Sequence, residues 1–201
     1  MLFIGPCGSG KTSIINKLVY NTFTNEYKIT IGVDFSFKTV QVKLDDGRTV
    51  QAKVQLWDIA GQDRASMLTR SFYKDAAACL IIGDLQCQTM VFDVLEWKQD
   101  LDSRAKLFNT NQNIPQILLC NKNDLPEAEH NYQELEKDIK NLNLPIYKTS
   151  ALTGEGLNEA FNDILKIAIK KIEKIKPQKD LNVLDKLSLD DQKSKAKGKC
   201  C

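Results

Sequence analysis

The chain has 201 residues, 42% of them apolar and 27% charged, which suits one domain with a single well-buried core. A formal net charge of +2 leaves the whole-molecule field uninformative about partners, and no nucleic-acid partner is expected. Six cysteines form no C-x-x-C pair and His130 is the single histidine, so a zinc site lacks suitably spaced ligands.

A disulfide framework is not expected with this much core-forming sequence, which points to a reducing compartment. The opening Met1-Leu2-Phe3-Ile4 is apolar for only four residues and does not read as a signal peptide. No run approaches the roughly 20 apolar residues of a spanning helix.

In chain order, an apolar run over 2–4 ends in Gly5, and Ile14, Ile15, Leu18 and Val19 follow at helical spacing. That pattern predicts strand, loop, helix. Alternation over 33–44, the turn signal Asp45-Asp46-Gly47, and renewed alternation through Val50, Ala52, Val54 and Leu56 predict an antiparallel hairpin. Buried strands are expected at 77–82, 116–120 and 145–149. Helical stretches are expected around Val91–Leu101, over 131–142, and along the stripe Leu157, Phe161, Ile164, Leu165, Ala168 and Ile172.

The expected fold is therefore α/β. It is a six-stranded, mostly parallel sheet with one antiparallel hairpin strand and helices on both faces. The domain is expected to occupy residues 1–176. Residues 177–201 are polar and lysine-rich and bury too little surface to offset ordering entropy.

Gly5-Pro6-Cys7-Gly8-Ser9-Gly10-Lys11-Thr12 fits G-x-x-x-x-G-K-[ST] at the strand-to-helix junction where that motif works. Glycines let backbone N–H groups turn towards a phosphate, and the helix N-terminus points its positive end at the same anion. Lys11 would bridge the β- and γ-phosphates, and the Thr12 hydroxyl would ligate Mg²⁺. The loop alone implies only a nucleoside triphosphate. Cys7 fills its third position, where a thiol would face the phosphate cavity or be a small tolerated side chain.

Asn121-Lys122-Asn123-Asp124 reads N-K-x-D directly after a predicted strand. The Asp124 carboxylate can accept from N1–H and the N2 amino group of guanine, a donor pair adenine lacks. Leaving a buried carboxylate unpaired would cost about 1–3 kcal/mol or more. The Lys122 stem would cover the ring, and the Ala151 N–H of Thr149-Ser150-Ala151 would meet guanine O6.

Asp58-Ile59-Ala60-Gly61-Gln62 ends the hairpin. Asp58 would hold Mg²⁺ through a water, the Gly61 N–H would reach the γ-phosphate, and Gln62 would orient an attacking water. Thr30 would complete the Mg²⁺ shell only while the γ-phosphate is present. Those two γ-phosphate contacts make a switch.

Together these elements resemble the Ras superfamily of small GTPases, and specifically its Rab family. Ile31-Gly32-Val33-Asp34-Phe35 is similar to the Rab IGVDF signature. Leu56-Trp57-Asp58 precedes Gly61-Gln62 as it does in Rabs, and Ser71-Phe72-Tyr73-Lys74-Asp75-Ala76 resembles the Rab Y-Y-[RK]-x-A segment. The segment Val94-Leu95-Glu96-Trp97-Lys98-Gln99-Asp100-Leu101-Asp102-Ser103 is similar to the subfamily serving lysosome-related organelles.

The resemblance implies a P-loop GTPase that binds GTP or GDP with Mg²⁺, hydrolyses GTP slowly and regulates vesicle traffic. It implies Gln62, Lys11 and Thr30 as catalytic residues, and Thr12, Thr30 and Asp58 at the metal. It also places Gly8, Ser9, Gly10, Ser13, Phe23, Ser150 and Leu152 in the nucleotide site, with Phe23 on the guanine edge. Phe35, Trp57 and Phe72 match a triad that effectors read.

The implied partners are an exchange factor, a GTPase-activating protein, a dissociation inhibitor or escort, and effectors. Two rivals stand beside this reading: a non-hydrolysing nucleotide-binding scaffold, and a P-loop nucleotide kinase. The stretch between Lys11 and Asp58 offers the kinase neither an acceptor site nor an arginine-rich lid.

Several residues depart from the family pattern. Asp63 stands where glutamate is usual, Ala65 where an aromatic is usual, Leu152 where lysine is usual, and Ile59 where threonine is usual. The hairpin is longer than in most Rabs.

The tail runs through Lys193, Lys195, Lys197 and Lys199 into Cys200-Cys201, which resembles a doubly geranylgeranylated Rab terminus. Two prenyl chains anchor stably where one is marginal. Four lysines add about 1 kcal/mol each near an anionic leaflet. The expected location is the cytoplasmic face of an endosomal, lysosome-related or Golgi-type membrane, with a soluble pool.

Overall fold

The computed structural model describes residues 1–62, 67–108 and 110–175, without the side chains of 67–70. Asp63, Ala65, Ser66 and the tail from 176, with its lysines and Cys200-Cys201, lie outside the described residues.

Three strands follow the predicted positions closely: β1 at Leu2–Ile4, β2 at Val33–Lys43 and β3 at Thr49–Ile59. The next two are β4 at Cys79–Asp84 and β5 at Gln116–Asn121, and β6 is only Ile146–Lys148. β4 starts two residues later than expected and runs on to Asp84, because Asp84 still pairs in register with Asn121. Apolar patterning alone misses a polar strand end.

The helices are α1 at Lys11–Tyr20, α2 at Met67–Lys74, α3 at Met90–Arg104, α4 at Ala128–Asn141 and α5 at Leu157–Ile175. The sequence reading gave α2 no separate element, since its eight residues are fewer than the window of about 11–18 over which helical periodicity is read.

The strand order is β2-β3-β1-β4-β5-β6. Only β2 runs antiparallel, against β3, over a full register from Val33↔Ile59 to Lys43↔Thr49. The remaining pairs are parallel. β1 lies between β3 and β4, so the chain's direction of winding reverses beside it. A crevice at the carboxyl ends of the strands is the expected ligand position at such a switch point.

Period-two side-chain alternation splits the core into two layers. Phe3, Leu80, Ile82, Ile117 and Leu119 pack with Ile14 and Leu18 of α1 and Phe161, Ile164 and Ala168 of α5. Leu2, Ile4, Ile81, Leu118 and Cys120 face the other way, onto Val94, Trp97 and Leu101 of α3 and Ile139 of α4. Cys79 and Cys120 are both buried in that second layer, as small core residues. Burial pushes the Cys120 thiol up to about 12.

The long hairpin overhangs this core, and its turn is tied to the last turns of α5. Arg48 Nη1 and Nη2 donate to the two carboxylate oxygens of Glu173 at 3.0 and 2.9 Å, and Lys170 pairs with Asp45.

Phe161 is only 2% exposed at the centre of the first layer. Phe161→Ala removes most of a buried ring and leaves a cavity beneath α5. Urea unfolding of the variant should show a loss of about 3–5 kcal/mol. A loss below about 1 kcal/mol would mean that α5 collapses into the space.

Candidate functional site: a phosphate loop and a base pocket around one cavity

The loop joining β1 to α1 closes because its glycines take conformations other residues resist. Gly10 caps α1 with φ 97°, and a Cβ there would lie 2.3 Å from the Asn121 amide nitrogen. Among the described residues no side chain caps α1, which leaves its first-turn N–H groups available to an anion. Lys11 folds back across the loop, with Nζ donating to Gly5 O at 2.9 Å and Pro6 O at 2.8 Å. Burial lowers its ammonium to about 8, against the opposing pull of Asp58. An incoming phosphate group would add to the counter-charge that Asp58 supplies in part.

Three hard oxygen donors converge beside Lys11. Thr12 Oγ1 donates to Asp58 Oδ2 at 2.5 Å and lies 2.9 Å from Thr30 Oγ1. Among the described residues, the buried Asp58 Oδ1 has no hydrogen-bond partner. Burial pushes the Asp58 carboxyl up, opposed by the Thr12 hydrogen bond and the Lys11 charge. Two hydroxyls and one carboxylate with an orphaned buried oxygen fit Mg²⁺, which takes few protein ligands and completes its shell with water and phosphate. When bound, the ion neutralises charge developing on the β- and γ-phosphate oxygens.

Gly61 comes so close to the phosphate loop that a Cβ on it would lie 2.3 Å from the Cys7 backbone nitrogen. Its neighbour Gln62 is exposed and is not on the cavity wall.

The residues expected to read the base gather at the ends of β5 and β6. Ser150 Oγ donates to Asp124 Oδ1 at 2.5 Å and accepts from the Thr153 N–H at 3.0 Å. One Asp124 oxygen is thus held by the protein, which fixes the carboxylate's plane. Lys122 has a left-handed φ of 69° and pairs with Asp84 at 2.5 Å. The Ala151 N–H, expected to meet a base oxygen, donates to Asn121 Oδ1 at 3.2 Å. Asn121 Nδ2 donates to Ser9 O at 2.8 Å.

All of this surrounds one cavity of about 480 Å³. From the phosphate loop and α1 its wall takes Gly8, Gly10, Lys11, Thr12 and Ser13. Phe23, Thr30 and Gly61 complete the middle, and Asn121, Lys122, Asp124, Ala151 and Leu152 form the far end. Ser9, Ser150 and Asp58 lie buried just beneath this wall.

The sequence reading missed Tyr27, which also lines the cavity and sets its hydroxyl 3.1 Å from Cys7 Sγ. Tyr27 sits among polar residues of a segment without secondary structure, so no periodicity marks it. Cys7 is exposed and lines the cavity, as its place in the loop implied.

Phe35, Trp57 and Phe72 form a connected stack outside the cavity. Ring centroids lie 5.3 Å apart between Phe35 and Trp57, and 4.6 Å between Trp57 and Phe72.

A phosphate loop, a hard-cation site and a fixed carboxylate at the strand ends define a nucleotide-binding protein of the P-loop class. Comparison with known proteins narrows the class. The Ras family model matches residues 1–170. Human Ras-related protein Rab-32 is 35% identical over 205 residues, spanning 100% of this chain and 88% of that protein. Mouse Ras-related protein Rab-7L1 is 36% identical over 161 residues, spanning 80% of this chain and 76% of the relative. Ras-related protein Rab-32A of Dictyostelium discoideum is 42% identical over 125 residues, or 62% of this chain and 55% of the relative.

The chain belongs to the Ras family of small GTPases, within its Rab branch. It is a GTP-binding switch of membrane traffic that binds GTP and GDP with Mg²⁺ and hydrolyses GTP. It works through regulators and effectors, on the cytosolic side of intracellular membranes. Neither the scaffold nor the kinase reading finds support among these relatives.

Asp124→Asn would replace one acceptor oxygen by a donor. Competition binding should then show preference moving from guanine towards xanthine nucleotides. Wild-type protein that binds ATP as well as GTP would overturn the base-reading role.

Proposed function

We propose that Thr30 and Gly61 sense the γ-phosphate, that Gln62 orients the attacking water, and that Asp124 and Lys122 select guanine. The observation that carries this reading is the meeting of Thr12, Thr30 and Asp58 beside Lys11. Thr30 arrives on a segment without secondary structure, so its hydroxyl is positioned by what it contacts rather than by a helix or strand. Loss of the γ-phosphate would remove that contact and release the segment, together with the one that begins at Gly61.

Lys11 acts electrostatically in this scheme, holding charge where it develops on the transferring group. Gln62 lies off the cavity wall and would have to turn inwards to reach the water. That fits slow unassisted turnover, about 10⁻⁴ s⁻¹ in well-studied small GTPases and raised about 10⁵-fold by an arginine finger. A GTPase-activating protein would supply that finger. An exchange factor would open the site, and effectors would read Phe35, Trp57 and Phe72 in the GTP state.

The domain is proposed to end near residue 176, with the remainder serving as a tether. Cys200 and Cys201 would carry prenyl groups, added with an escort protein and extracted by a dissociation inhibitor. The lysines from 193 to 199 would strengthen contact with anionic lipid. The membrane is proposed to be endosomal, lysosome-related or Golgi-type, with a soluble pool in exchange.

Two experiments bear on this. Single-turnover hydrolysis by Gln62→Leu should fall at least about tenfold, or about 1.4 kcal/mol of barrier, with nucleotide affinity little changed. An unchanged rate would assign the water to another residue. In cell fractionation, losing one terminal cysteine should leave a partly soluble protein. The Cys200→Ser/Cys201→Ser protein should be cytosolic yet still bind and hydrolyse GTP. Wild-type membrane levels in that double variant would move the anchor to a protein contact.

A further inference from the structure

The outer face of the hairpin carries more than the three stacked aromatics. Residues paired across β2 and β3 share a face, so Phe35 and Trp57, Phe37 and Gln55, Thr39 and Lys53, and Lys43 and Thr49 all point the same way. The opposite face packs on α1 and α5 through Val40, Val42, Val54 and Leu56. The outer face remains largely uncovered, with Phe35 51% and Phe37 49% exposed.

Phe37 is a fourth ring in the same row. Its centroid lies 5.7 Å from that of Phe35 in an edge-on arrangement. Lys53 Nζ lies 5.1 Å from the Phe37 ring centre, which draws the ammonium over the aromatic face.

Charge on this face has one sign. Lys53 and Lys43 stand on it, and its ten positions from Phe35 to Lys43 and Thr49 to Trp57 hold no carboxylate. Among the described residues neither lysine makes an ion pair. Single exposed apolar residues are ordinary on a protein surface, but a contiguous row of rings ending in unpaired cations is a recognition pattern.

We propose that the effector surface continues up the hairpin through Phe37 to Lys53, where it selects partner segments that present a carboxylate beside apolar side chains. This rests on the effector-recruiting reading above and names the chemistry of the partner. The rings offer flat apolar area at small entropic cost, and Lys53 supplies the counter-charge at the row's upper end. The base of the row adjoins Asp58 through Trp57, and Thr30 lies five residues before Phe35. A partner seated there touches the segments expected to respond to nucleotide, which favours a protein partner over a lipid surface.

A random-peptide display library selected on the full chain, loaded with a non-hydrolysable GTP analogue, tests this. Selected peptides should be enriched in Asp or Glu next to aromatic or aliphatic residues. Their affinity should drop at least about tenfold for Phe37→Ala and for Lys53→Glu. Changing the peptide's acidic residue to lysine should restore binding to the Lys53→Glu protein. Both substitutions are at exposed positions, so melting temperature and nucleotide affinity should not change.

Peptides lost on Phe35→Ala but unaffected by Phe37→Ala and Lys53→Glu would overturn the extension and leave the effector face intact. Peptides that bind the GDP form equally well would overturn the effector reading and the extension with it. No enriched peptide, or a Phe37→Ala defect confined to phosphatidylserine vesicles, would overturn the proposal, the latter in favour of a membrane surface.

Discussion

The side-chain amide of Asn121 joins three separate loops of the site. Buried to 1% exposure, it donates to Ser9 O in the phosphate loop at 2.8 Å and accepts from the Ala151 N–H at 3.2 Å. The hydroxyl of Thr149 lies 3.5 Å from the same Asn121 oxygen. Loops leaving β1, β5 and β6 are thereby fixed to one planar group. A buried amide has four hydrogen-bonding positions to fill, and leaving one unmet costs about 1–3 kcal/mol. The three loops therefore hold a common geometry or strain together. Gly10 is part of the same constraint, since the amide occupies the space a Cβ would need.

Much of the site depends on that arrangement. With the phosphate loop held against β5, Lys11 and Thr12 start a helix directed at the cavity. With the 149–151 turn held, Ser150 can bond Asp124 and set the plane of the carboxylate proposed to read the base. The residues proposed to bind phosphate and base are then parts of one frame. The segments carrying Thr30 and Gly61 lie outside it. Preorganised electrostatics on one side and releasable contacts on the other are what a nucleotide-dependent switch requires.

How much of this was legible beforehand depended on the kind of signal. The phosphate loop and N-K-x-D announce themselves because backbone geometry and base chemistry tolerate few alternatives at Gly10, Lys11 and Asp124. Period-two alternation gave both hairpin strands almost to the residue. Strand ends were less legible, since Asp84 is polar yet remains in the ladder. The bond from the Ala151 N–H to Asn121 could not be read, because its partner is thirty residues away in the chain. Tyr27 was invisible for a related reason. Its place beside Cys7 is set by the path of an irregular segment, and no local pattern encodes that path.

The clasp between the hairpin turn and α5 also sets the molecule's polarity. The nucleotide cavity opens at the carboxyl ends of the parallel strands, whereas Arg48–Glu173 and Asp45–Lys170 join the hairpin turn to the last turns of α5. α5 returns antiparallel to the strands, so the described fold ends at Ile175 on the pole away from the cavity. The tail proposed as a tether would therefore leave the domain at that far pole. Nucleotide would then enter and leave without passing the proposed tether, and the two lie apart by the length of the parallel strands.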